Sequence, residues 1–117
     1  MQSYDFKGWV YCNPDGFLIE SSGHKHDYTE LITDATQINI YLPQGLSYTE
    51  YYPEYCDYHK VYNNKTGFTK LRIINLMYET VMSAINEKYE LEGLKHLAIT
   101  GFNFNKATSS IYIQTSS

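Results

Sequence analysis

The sequence predicts an α+β domain, a mainly antiparallel sheet with one long amphipathic helix packed on one face. Three patterns carry that expectation. Short aromatic and β-branched runs flank turn signals at both ends of the chain. A middle run alternates apolar and polar residues with period two. One long segment repeats its apolar residues at helical spacing. With 117 residues the chain has the length of a single domain, 1–117. Folding would bury about two-thirds of its surface, enough for a core without metal or disulfide.

Near the start, residues 6–11 and 17–19 read as the strands of a hairpin. Between them, Asn13-Pro14-Asp15-Gly16 joins a proline-preset φ to a glycine that tolerates positive φ. Residues 21–27 are polar and read as a loop, while 28–34 fit either a helical turn or a short strand. In 37–42, Ile38, Ile40 and Leu42 should face the core, with Gln37, Asn39 and Tyr41 outward. Pro43 ends that strand, since proline cannot donate to a ladder. From 43 to 67 no period is legible. A connection that long in a small domain is usually functional or conceals a short element.

The helix is expected over about 69–90. Ile74, Met77, Tyr78, Val81, Ile85 and Tyr89 form its apolar stripe, which Leu71, Ile73, Leu76 and Met82 widen. Thr69 can cap its start, and Gly93 can take the left-handed conformation past its end. Arg72, Asn75, Glu79, Ser83, Asn86 and Glu87 fall on the exposed side. A second hairpin follows, from strands 96–100 and 110–114 and a turn at 105–108. Leu97 and Ile99 share one face whereas Phe102 and Phe104 belong to the other, so Gly101 marks a β-bulge. The terminal strand, 109–115, is expected at a sheet edge, where an outward Tyr112 could join a second copy as a homodimer.

Nine basic residues against 13 acidic ones leave a net charge of −4. That balance disfavours direct binding to a phosphate backbone and suits a protein partner with a basic surface. The first residues lack the basic start and apolar run of a signal peptide, and no apolar stretch is long enough to span a membrane. The expectation is a cytoplasmic chain. Cys12 and Cys56, 44 positions apart, then read as two separate thiols.

No motif demands a particular chemistry. The candidate metal set is His24 and His26 with Cys56 and His59. Alternate residues of an extended segment point the same way, and a Cys-x-x-His turn could close a tetrahedral shell. The set lacks a second paired half, and polar loops collect histidines anyway. Cysteine–histidine triads cannot be recognised from composition, and no nucleophile elbow, phosphate loop or dinucleotide fingerprint is present, so no cofactor is expected. His96 reads as a strand-end residue. Glu50 with Glu54, and Glu90 with Glu92, have nothing nearby to drive their pKa values apart.

The remaining signal is a cluster of tyrosines. Tyr48, Tyr51, Tyr52, Tyr55, Tyr58 and Tyr62 fall within fifteen residues, interleaved with Glu50, Glu54 and Asp57. Tyrosine offers large contact area at low entropic cost, and interfaces concentrate it for that reason. The acids would repel a phosphate backbone and attract a basic protein surface. The expectation is a non-catalytic acidic binding protein that inhibits or regulates a macromolecular partner. Tyr48, Glu50, Tyr51, Tyr52, Glu54, Tyr55, Asp57 and Tyr58 would form its contact surface. In physical type alone, compact acidic inhibitors such as immunity proteins or phage-encoded inhibitors are similar. Two alternatives stand beside it: a nucleotide or sugar site built from stacked tyrosines, and the metal set above. Several of the rings could equally cap the core with their hydroxyls in water.

Overall fold

The computed structural model describes residues 2–12, 18–20, 29–43, 56–87 and 98–116. Along them the elements run β1 (Gln2–Cys12), β2 (Leu18–Glu20), β3 (Leu31–Thr33), β4 (Gln37–Pro43), β5 (Cys56–Asn63), β6 (Phe68–Thr69), α1 (Lys70–Glu87), β7 (Ala98–Asn105) and β8 (Ser110–Ser116). Six strands form one sheet in the order β2-β1-β7-β8-β4-β5, and β3 pairs with β6 in a small second sheet. Only β4 and β8 run parallel among these pairs; all the others are antiparallel. The α+β class expected from the sequence is the class observed.

Period-two alternation explains the middle of the sheet. Ile38, Ile40 and Leu42 are buried on the face that α1 covers. Ile111, Ile113, Phe102 and Phe104 share that face through successive register pairs. From the helix, Ile73, Ile74, Leu76, Met77, Val81 and Ala84 close the core. Of the expected exposed residues, Arg72, Asn75, Glu79, Asn86 and Glu87 do face solvent, whereas Ser83 is half-buried because it accepts a hydrogen bond from Lys60 of the neighbouring sheet. Leu71 departs from the expected stripe and is 40% exposed. Residues 88–97, which include Tyr89, Gly93 and His96, lie outside the described residues.

The start of α1 is fixed by short-range chemistry. Thr69 caps it, its Oγ1 accepting the Arg72 N–H at 3.2 Å. One residue on, the Lys70 N–H donates to the Glu30 carbonyl at 2.8 Å, and the Lys70 ammonium meets the Glu30 carboxylate at 3.0 Å. These contacts tie the helix to β3, which resolves residues 31–33 as a strand. Gly67, with φ at +83°, makes the preceding turn; a Cβ there would overlap the Thr33 carbonyl oxygen.

Two features were not foreseen. Within 43–67 lies β5, an eight-residue strand paired along β4 from Gln37–Asn63 to Pro43–Cys56. Its alternation is hidden because the polar Lys60 faces the helix while the apolar Val61 faces out, 43% exposed. The terminal strand β8 also overturns an expectation. It lies between β7 and β4 and not at an edge, and Tyr112 is only 2% exposed. Pairing of a second copy through Tyr112 is therefore ruled out, since both sides of β8 already carry ladder hydrogen bonds. The bulge at Gly101, by contrast, is present: the β7–β8 register shifts between Ile99 and Gly101.

Candidate functional site

The expected contact residues Tyr48, Glu50, Tyr51, Tyr52, Glu54 and Tyr55 lie outside the described residues, as do His24 and His26. Asp57 belongs to β5, where the register to β4 shifts between Leu42 and Pro43. Tyr58 and Tyr62 pair with Leu42 and Ile38, so their rings turn toward α1 and pack against the core's edge. Lys60 lies between them on the same face and donates to Ser83 Oγ at 3.0 Å. The Tyr62 hydroxyl lies 2.9 Å from Thr80 Oγ1, and burial raises its pKa. Thr80 in turn donates to the Leu76 carbonyl at 2.7 Å.

Tyr58 sits at the rim. Its hydroxyl donates to Glu87 Oε2 at 2.5 Å, and that hydrogen bond, more than desolvation, pushes its pKa up to about 12. The folded chain thus holds this proton more tightly than the unfolded one does. The link contributes fully below the ordinary phenol value of 10.0 and is lost as pH rises toward 12. NMR titration of the Tyr58 ring should place its midpoint near 12. Glu87→Gln should return it toward 10.0; an unchanged midpoint would remove Glu87 as the cause.

The opposite face of the sheet carries a different row. Ser3, Asn103, Tyr112, Tyr41 and His59 are successive register partners across β1, β7, β8, β4 and β5. Tyr41 stacks on Tyr112 at 5.1 Å between centroids and on His59 at 4.5 Å, with the planes nearly parallel. Three rings thus form one ridge across neighbouring strands, the packing that cross-strand partners on one face allow. His59 is exposed, and its Nε2 lies 3.2 Å from Asn39 Oδ1. Burial raises the Tyr41 pKa first, and Cys56 adds to it, opposed by a hydrogen bond with Ser110.

Cys56, a half-buried thiol, thus lies close to Tyr41, which also stacks on His59. These two members of the expected metal set approach one ring, yet among the described residues no three potential ligands converge. Asn103, 6% exposed, has an Nδ2 without a hydrogen-bond partner. Such a group is rare in folded chains. Period-two alternation put Tyr41 outward, but the ring row depended on register between strands far apart in sequence. No local signal could have revealed it.

Comparison with protein-family models, curated proteins and solved structures gives no match. No helix among the described residues is long and apolar enough to cross a membrane.

Proposed function

We propose that this chain is a small acidic binding protein without catalysis, which docks on a macromolecular partner with a basic surface and inhibits or regulates it. One observation supports this reading above the others. The acidic, tyrosine-rich sequence 48–55 runs without a break into β5, the strand that contributes His59 to the ring ridge on the sheet's far face. The tyrosines and the acidic steering charge of that segment therefore adjoin the exposed His59 ring in the chain.

Tyr51, Tyr52 and Tyr55 are the proposed anchors, with Tyr58 adding to them from the helix-side rim of β5, where its ring packs on the core's edge; Glu50, Glu54 and Asp57 steer the encounter and Tyr48 extends the surface. The test is calorimetric titration of an affinity-captured partner against wild type and against alanine variants of the four tyrosines. Truncating a central anchor should cost about 2 kcal/mol or more, roughly thirtyfold in affinity. Unchanged affinity with all four replaced would eliminate the segment as the interface.

A second reading is a nucleotide or sugar site built from stacked rings, favoured by the half-buried Tyr41 ring lying face to face with the exposed His59 ring at 4.5 Å. A ligand of the native state raises the thermal midpoint, by about 2.7 kcal/mol of added stability at a hundredfold excess over Kd. Flat midpoints across a nucleoside and sugar series would discard it.

A further inference from the structure

Strand β5 ends the six-stranded sheet, and the direction of its backbone groups follows from its neighbours. The Asn39 N–H donates to the Ser109 carbonyl at 2.9 Å, so Asn39 aims its backbone groups at β8. Ile38, Ile40 and Leu42 alternate with it and aim theirs at β5. Their partners Tyr62, Lys60 and Tyr58 form the hydrogen-bonded pairs. His59, Val61 and Asn63 consequently aim N–H and C=O away from the sheet, and no described strand receives them. On this edge the side chains of His59, Val61 and Asn63 are all exposed, and Val61 is one of three large exposed hydrophobic residues among those described.

Among the described residues this edge is open, and an open edge is a template for another strand. We propose that it pairs with the same edge of a second copy of the chain, antiparallel about a two-fold axis at Val61. Two-fold registers centred on Lys60 and on His59 compete with it. With the axis at Lys60, two ammonium groups oppose each other directly, which is unfavourable. With the axis at His59, Val61 falls opposite position 57, an aspartate, and leaves its apolar surface unmatched.

With the axis at Val61, every position finds a compatible partner. The two valines oppose each other. His59 faces Asn63 of the second copy, an imidazole against an amide. Lys60 faces Tyr62 in a non-hydrogen-bonded pair, where side chains approach most closely. Within one copy the Lys60 Nζ already lies 6.0 Å from the Tyr62 ring centroid, so the same cation–ring attraction extends across the axis. About six backbone hydrogen bonds would join the copies through His59, Val61 and Asn63. The result is a single continuous sheet. Lys60 acts as the selector, because it forbids the register centred on itself.

This pairing does not rest on the partner-binding reading; failure of either leaves the other standing. The test is sedimentation of the full chain from about 1 µM to about 1 mM, with amide hydrogen exchange at both ends of that range. A reversible dimer should form, with the His59, Val61 and Asn63 amides becoming protected only at high concentration. Val61→Lys sets like charges face to face on the axis and should weaken dimerisation at least tenfold. Its circular dichroism should match wild type, since position 61 is exposed. A chain that stays monomeric throughout, a dimer indifferent to Val61→Lys, or a dimer in which those three amides exchange freely would each overturn the proposal.

Discussion

Gly101→Ala should destabilise the fold by about 3 kcal/mol or more, the upper end of what overpacking costs. Gly101 lies in β7 between Asp5 of β1 and Gln114 of β8, at the register shift. A Cβ there would overlap the Tyr4 carbonyl oxygen and sit 2.8 Å from Gln114 Oε1. The glutamine tip can swing aside. The Tyr4 carbonyl cannot, because β1 is held on both sides of it by the pairs of Ser3 with Asn103 and Asp5 with Gly101. Alanine gains about 0.5–1 kcal/mol from its lower entropy in the unfolded chain, which is too little to compensate. Urea denaturation measures the difference directly. A midpoint shift worth less than about 0.5 kcal/mol would show that β1 yields where the ladder says it is fixed.

Phe102→Ala should cost about 3–5 kcal/mol, the range for removing a fully buried aromatic ring. Phe102 is 0% exposed and stacks on Tyr4 with centroids 4.7 Å apart. Its removal leaves a cavity in the core beside Tyr4, where β7 is held by ladder pairs to both β1 and β8. Against a total stability of about 5–15 kcal/mol for a domain of this size, that loss takes a large share of the folded population. Leu31→Ala is the control: Leu31 is 54% exposed, and its truncation should stay within about 0.5 kcal/mol. If the two variants unfold at the same denaturant concentration, the core does not run through Phe102.

Both effects trace back to features that were readable in different degrees. The slip in phase around Gly101 marked the bulge, because a strand whose apolar residues change face must insert a residue somewhere. The bulge returns Phe102 and Phe104 to the face of Ile99, and all three are buried in the core. The helix from Lys70 and its Thr69 cap were also legible, since capping and 3.6-residue periodicity act within a few residues of each other. Strand β5 was not. Its inward Lys60 satisfies its charge on Ser83 of a helix that comes later in the chain, and its outward Val61 occupies an edge. Hydropathy alone inverts the true faces there.

The candidate site divides the same way. Composition marked an acidic, aromatic stretch, but Tyr58 and Tyr62 turn to the helix because their register partners are Leu42 and Ile38. The ridge of Tyr112, Tyr41 and His59 joins three strands whose order in the sheet is not their order in the chain.

The sequence by itself determined the α+β class, the helix with its cap, the buried face of the middle strand and the bulge. Those depend on periodicity, capping and steric rules that operate within one or two turns of the chain. Tertiary structure alone decided that β8 is central and β5 is an edge of the described sheet, that Tyr41 meets both Tyr112 and His59, and that the Asn103 Nδ2 is buried without a partner. Strand order is set by long-range pairing, and any strand with one apolar face satisfies the local rules equally well in the middle of a sheet or at its border.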